Sequence, residues 1–467
     1  MAASKRTSAP QITSIARRRA TTEPTPSPLP APSRVELACA FSQALDLAEG
    51  RRLGHATRVA YIALNLAQSM GLMPEQQRVA LYAALLHDAG AAAASAEVCR
   101  TANLSEETVF RAGPEESPQR LALEIAPSNV TAVVELLRAH PEHGAQVARD
   151  LGLERPVQQA IVTHHERWDG HGYPQALKGD AAPIGGRLVA AADLIESIIS
   201  NELHALAARR NLLSALDEHA GHALDAELVA LARELSRSDA FWLGLYSHDL
   251  VRELPESCEE VLPEAERSPV DLQTFASVFA TLADAKGEHT THHSRRTAEL
   301  VDRLAEALDF TPARRELVRI AALLHDVGLL GVPAQVIAKP DILSLTEMEI
   351  MRQHPAYSQL VLEAVPGLEE AAHWVGAHHE RPDGKGYPET LEQEQIPLEA
   401  RIIALADTYV ALTSARPYRR ALAHDDAEQV LLGGAGTQLD GKLVRLLCSL
   451  SLEPRSSRTA PRSRRRR

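Results

Sequence analysis

The chain has 467 residues, more than one core usually holds, since single cores rarely grow past about 250–300 residues. Apolar residues make up 45% and charged residues 24%, the balance of a folded globular protein, and no run of about 18 apolar residues is present to cross a membrane. The net charge of −13 sets the body of the chain against nucleic-acid backbones, so no nucleic-acid partner is expected.

Residues 1–33 are basic and Ser/Thr/Pro-rich and read as a disordered segment rather than a secretory signal. From residue 34 to 250, apolar residues recur at three- and four-residue steps, and Ala and Leu outweigh aromatics, which favours packed helices. Residues 251–269 are rich in Glu and Pro and read as an acidic linker. Helical periodicity then resumes over 270–452. After His293, for instance, Thr297, Leu300, Val301, Leu304 and Leu308 share one face. Residues 453–467 form an Arg-rich tail. The fold expected is all-α. Cys39, Cys99, Cys258 and Cys448 are widely spaced with no CxxC, which argues against a disulfide scaffold and suits a reducing cytoplasm.

An internal repeat organises the chain. LLHDAG at Leu85–Gly90 returns as LLHDVG at Leu323–Gly328, and HHERWDGHGYP at His164–Pro174 returns as HHERPDGKGYP at His378–Pro388. His55 and His87 stand at one common offset from His293 and His325. His140, His164 and Asp193 stand at a second, shorter offset from His354, His378 and Asp407. Two constant offsets define two homologous copies, the first carrying an insertion between its His-Asp pair and His140.

Each copy offers a lone His, a His-Asp pair, a second lone His, a His-His pair and an Asp. In copy two these are His293, His325, Asp326, His354, His378, His379 and Asp407. In copy one they are His55, His87, Asp88, His140, His164, His165 and Asp193. Several lie beside apolar helical runs, which would turn them into a bundle interior, where buried imidazoles and carboxylates need partners. Imidazole with carboxylate and no thiolate suits iron, manganese, zinc or nickel. Seven donors exceed the need of one ion, so a two-metal centre is expected, with the Asp of the His-Asp pair as bridge. Such a centre can activate a water for in-line attack on phosphorus, which makes His325 and Asp326 the expected catalytic pair.

These elements resemble the HD superfamily of metal-dependent phosphohydrolases, and the HHERPDGKGYP element resembles its HD-GYP branch. The resemblance covers nearly all of residues 270–450 and, with gaps, residues 35–231. It implies an all-α bacterial phosphodiesterase that takes two or three iron or manganese ions and opens a cyclic dinucleotide. Cyclic di-GMP is the first expectation and cyclic GMP-AMP the alternative. It also implies His289, one helical turn before His293, as a ligand for a third ion; Arg51 stands there in copy one and cannot ligate. Asp383, Gly384, Gly386, Tyr387 and Pro388 would form a loop facing substrate or a signalling partner, and Arg416 would contact phosphate. Arg401 also matches a family position, as a phosphate contact or as an intradomain ion pair.

Two departures bear on activity. The family usually places a lysine after the His-Asp-x-Gly element, where this chain has Leu329 in copy two and Ala91 in copy one. Lys339 and Lys385 are the candidates to replace that cation. If neither does, the protein becomes a weak or inactive binding module. Copy one also lacks the arginine corresponding to Arg416. It reads as a metal-binding regulatory or dimerising domain, with a homodimer left open.

Overall fold

A computed structural model describes residues 32–91, 99, 118–202, 205–258, 262–263, 270–287, 292–415 and 420–450. The described residues are helical, with isolated bridges and no strand among them. Residues 1–31, expected to be disordered, the Arg-rich tail, His289 and Arg416 lie outside the described residues.

Copy one opens with α1 (Arg34–Ala48), α2 (His55–Ser69) and α3 (Pro74–Leu86). It continues through α4 (Pro118–Ile125), α5 (Val130–Asp150), α6 (Arg155–Val162), α7 (Ile184–Ser200), α8 (Ala205–His219), α9 (Ala226–Leu235) and α10 (Asp239–Leu245). α11 (Leu250–Ser257) leads to copy two, which begins with α12 (Leu272–Lys286), α13 (His293–Ala307) and α14 (Pro312–Leu324). Then follow α15 (Ala334–Ile337), α16 (Leu345–Met351), α17 (His354–Glu363), α18 (Glu369–Gly376), α19 (Leu398–Leu412), α20 (His424–Gly434) and α21 (Gly441–Ser449). The repeat offsets hold for the helices. α1, α2 and α3 precede α12, α13 and α14 by the offset that separates His55 from His293, and α6 and α7 precede α18 and α19 by the offset that separates His164 from His378.

Local chemistry sets the helix starts. Ser33 and Glu36 form a capping box on α1, and Thr311 accepts from the Arg314 N–H ahead of Pro312 in α14. The second helix of each copy is capped from the helix before it. In α12, Asp284 accepts from the Ser294 hydroxyl at 2.7 Å and from its N–H, and in α1 Asp46 accepts from the N–H groups of Gly54 (2.7 Å) and Ala56 (3.0 Å). α14 is apolar nearly all round in its last two turns, and Leu317, Val318 and Ile320 to Leu324 are all buried. It is the central helix of its copy, and its C-terminus delivers the His-Asp pair.

One continuous apolar core runs through both copies. At the seam Phe41 of α1 stacks on Phe279 of α12, with ring centroids 4.4 Å apart, and Phe275 lies alongside. The stretch expected as an acidic linker differs from that reading where it is described. Its first residues are helical in α11, and Leu250, Leu254, Cys258 and Leu262 are buried in the core. The four-residue steps between Leu250, Leu254, Cys258 and Leu262 give the segment one apolar face, which outweighs its acidic content.

Candidate metal centres

In copy two the seven expected donors come from five places in the fold and converge. His293 is the first residue of α13, His325 and Asp326 follow α14, His354 opens α17, His378 and His379 follow α18, and Asp407 sits in the middle of α19. Three of the rings are locked in the same way. The Nδ1–H of His325 donates to Ala322 O (2.7 Å), that of His354 to Met351 O (2.8 Å) and that of His378 to Val375 O (2.6 Å). A carbonyl can only accept, so each Nδ1 carries a proton and each Nε2 is the ring nitrogen turned into the cluster.

Those Nε2 atoms point at Asp326. His325 Nε2 is 3.3 Å from Oδ2, His354 Nε2 is 3.4 Å from Oδ1 and His378 Nε2 is 3.8 Å from Oδ1. On the other side His293 Nε2 lies 3.9 Å from Asp326 Oδ2 and 3.0 Å from Asp407 Oδ1. The donor atoms of His354, His378 and His379 form one close group and those of His293, His325 and Asp407 another, each within 4.8 Å. Asp326 stands between the two. The His325 Nε2 is buried with no hydrogen-bond partner among the described residues. A buried ring nitrogen turned to a carboxylate fits a metal site, where an ion takes the place of its proton, and a donor set of imidazole and carboxylate fits a transition metal.

The electrostatics keep three of the rings neutral and the carboxylates ionised. Burial, reinforced by the neighbouring rings, holds His354 and His378 below the ordinary imidazole value and brings His379 down to about 4, so these three are neutral at pH 7. Burial disfavours the Asp326 carboxylate, but His325 and its neighbours outweigh it and hold Asp326 well below the usual range. Burial is likewise outweighed at His325, where Asp326 raises the imidazole to about 9. Asp407 is held low chiefly by His293, against burial.

Glycine is required behind this cluster. A Cβ on Gly328 would meet His354 O at 2.1 Å and Ser358 N at 2.6 Å, so only glycine lets the turn after Asp326 pass under the start of α17. The GYP loop closes the far side. Asp383 takes a two-pronged ion pair from Arg381 and accepts from the Lys385 N–H. Gly384 has φ +70°, and a Cβ on Gly386 would strike Glu380 and Arg381 backbone. The Tyr387 ring stacks on His379 at 4.9 Å, with the Arg352 guanidinium 5.3 Å from the centre of the same ring. Lys385 and Pro388 are exposed. A cavity of about 380 Å³ opens beside the cluster, lined by His378, His379, Arg381, Tyr387, Asp407 and Gln438 among others.

The basic candidates are differently engaged. Lys339 pairs with Glu347 at 2.6 Å, and Arg401 pairs with Asp440 at 2.7 Å, as its counterpart Arg187 does with Asp225. Arg401 is therefore the intradomain ion pair rather than a phosphate contact.

Copy one gathers its seven residues in a related but more closed arrangement. His87 and His164 donate Nδ1–H to Ala84 O and Ile161 O, and their Nε2 atoms lie 3.0 and 3.6 Å from Asp88. Asp88, His140, His164 and His165 form one close donor group. The Asp193 side chain is only 5% exposed, against 19% for Asp407. Three charged neighbours escaped the sequence reading as parts of the site. Glu196 accepts from His55 Nδ1 at 2.6 Å and from Arg58, and Val410 stands at its place in copy two. The buried Glu49 carboxyl is held well above the usual carboxylate range by burial and the neighbouring Asp88, and Gly287 stands at its place. Arg51 lies 3.6 Å from Glu49. The available signal was a comparison of the two copies beside each ligand, where charge is gained only in copy one.

The fold and the two clusters are those of an HD-type protein. The HD-domain family model matches residues 107–228 and 277–443, and the chain belongs to that family, in its HD-GYP branch. It is 30% identical over 455 residues to the 3′3′-cGAMP-specific phosphodiesterase 3 of Vibrio cholerae, covering 92% of this chain and 97% of the relative. A cyclic di-GMP phosphodiesterase of the same organism is 35% identical, over 43% of this chain and 45% of that protein. A crystal structure of a cyclic GMP-AMP specific phosphodiesterase of Vibrio cholerae superposes with a TM-score of 0.63 at 27% identity, covering 89% of this chain and 97% of that one.

Proposed function

We propose that the chain is a metal-dependent phosphodiesterase that hydrolyses a 3′–5′ bond of a cyclic dinucleotide in copy two. The observation that carries this reading is the convergence of the Nδ1-anchored imidazoles on Asp326 beside an open cavity. His293, His325 and Asp407 would hold one ion, His354, His378 and His379 a second, and Asp326 both; His289 is assigned to a third. Iron or manganese is the proposed metal, as the resemblance to the HD-GYP branch implies within the transition metals that imidazole and carboxylate donors suit. When bound, such ions acidify water and neutralise charge on phosphoryl oxygens. The protein's own part is to turn the Nε2 atoms of His325, His354 and His378 into the cluster, to fix the His379 ring beneath Tyr387, and to keep Asp326 ionised. For the substrate phosphate we assign Arg416 and Lys385, with Lys339 available only on release of Glu347. The exposed part of the GYP loop is the proposed face for a signalling partner. The cytoplasm is the proposed compartment, on the spacing of the four cysteines.

3′3′-cyclic GMP-AMP is the favoured substrate. Two relatives named for it align with 92% and 84% of this chain, whereas the cited relative named for cyclic di-GMP aligns with 43%. Cyclic di-GMP is the second reading. The test is to load the full chain anaerobically with iron or manganese and follow both dinucleotides by chromatography. Faster conversion of cyclic GMP-AMP to a linear product supports the first reading, and faster conversion of cyclic di-GMP supports the second. Turnover of neither would overturn the function.

A further inference from the structure

The two copies hold one and the same arginine in different settings. Arg58 in α2 and Arg296 in α13 share the offset of His55 and His293, and each follows its histidine by about one helical turn. In copy one the guanidinium is tied inside the fold. Arg58 Nε donates to Glu196 at 2.7 Å, and the Ser200 hydroxyl and His55 Nδ1 reach the same buried carboxylate. In copy two Val410 stands at the place of Glu196. Arg296 turns to hydroxyls instead, donating to Ser414 Oγ at 2.6 Å and to Thr413 Oγ1 at 3.2 Å. No carboxylate among the described residues pairs with it, and it is exposed where the Arg58 side chain is only 18% exposed. Ser414 continues, just past the end of α19, the row formed by Asp407 and Ala411, and both of these line the cavity. Arg296 therefore stands at the rim of that cavity, about 10 Å along the helix from Asp407.

We infer that Arg296 is a substrate-binding residue of copy two and takes the phosphate that is not cut. The inference rests on reading copy two as a cyclic-dinucleotide phosphodiesterase. Such a substrate carries two phosphodiesters in one ring. The metal cluster would engage one of them, which leaves a second anion at a distance from the ions. A guanidinium held only by neutral hydroxyls keeps its full charge, with N–H donors left over for that anion. In copy one the Glu196 carboxylate offsets the charge of Arg58, so the same position offers an anion nothing. Arg296 also brings a cation to a copy that has Leu329 after its His-Asp-x-Gly element.

The test compares two substrates of the metal-loaded full chain. One is the cyclic dinucleotide that the wild type cuts faster, with two phosphodiesters, and the other is bis(4-nitrophenyl) phosphate, with one. Arg296→Met is expected to raise KM for the cyclic dinucleotide about 10–100-fold with a much smaller change in kcat, as for loss of a charged contact made equally in the ground and transition states. Its loss of kcat/KM on the single phosphodiester should be at least about tenfold smaller. An equal loss on both substrates would show that Arg296 only ties down the end of α19 and would overturn the inference, as would an unchanged KM for the cyclic dinucleotide. Val410→Glu supplies a second variant, since it restores the carboxylate of copy one and leaves Arg296 in place. It should raise KM for the cyclic dinucleotide in the same direction. An unchanged KM in this variant, with folding checked by circular dichroism and metal content by elemental analysis, also contradicts the inference. Absence of cyclic-dinucleotide turnover in the wild type would overturn the proposed function, and the role of Arg296 with it.

Discussion

Phe41 and Phe279 occupy the same position in the two copies and stack directly on one another, with centroids 4.4 Å apart and planes 21° from parallel. α1 and α12 therefore meet at the seam between the two copies, and both rings are fully buried. Truncating either ring removes its transfer energy and leaves a cavity at the seam. Phe41→Ala and Phe279→Ala are each expected to cost about 3–5 kcal/mol in denaturant unfolding. Because the core is continuous, the wild type should unfold in one transition whether followed in copy one or copy two, and two separate transitions would contradict the shared core.

Gly328 carries a sharper steric prediction. Gly328→Ala forces the start of α17 away from the turn after Asp326, since the contacts at 2.1 and 2.6 Å are with backbone. Destabilisation of about 1–3 kcal/mol or more is expected. Elemental analysis should show reduced metal content, because His354 moves with the helix it opens.

Tyr387 separates packing from chemistry. Its ring lies between His379 and Arg352. Tyr387→Phe keeps both contacts and should leave metal affinity within about threefold of wild type. Tyr387→Ala should lower it about 10–100-fold, the range for removing a group that orients a ligand. Competition with a coloured chelator measures both.

The metal-stripped protein should be least stable at the two ends of the pH range. His379 titrates near about 4 and His140 near about 3 when folded, below the ordinary imidazole value. The unfolded chain therefore takes up these protons first, and stability falls as pH drops from about 6.5 towards 3. His325 and His87 are raised to about 9. Their contribution is present below about 6.5 and lost as pH rises through 9. Melting temperatures in chelator across pH 3–10 should trace a dome, and a profile flat through both windows would contradict these environments.

Much of this was legible in the sequence because the repeat reports itself. A helix start such as His55 or His293 recurs at a fixed offset, and the His and Asp residues recur with it. What stayed hidden depends on three-dimensional neighbours. Nothing local marks Glu49, on the far side of α2 and α3 in the chain, as a partner of Asp88. The same holds for Glu196 as the clamp on the remote His55. Arg51 was legible as a residue unable to ligate, but not as a neighbour of the buried Glu49. The Glu and Pro content of residues 251–269 masked the apolar face formed by Leu250, Leu254 and Cys258, because composition carries no phase. Lys339 looked available until the fold brought Glu347 to it.

The central claim is that copy two does the chemistry and copy one does not. The most direct measurement compares hydrolysis of 3′3′-cyclic GMP-AMP by metal-loaded wild type, Asp326→Ala and Asp88→Ala, each shown to be folded. The account predicts that Asp326→Ala falls at least about 1000-fold, to background, while Asp88→Ala stays within a few-fold of wild type. Loss of turnover in Asp88→Ala with Asp326→Ala still active would contradict it.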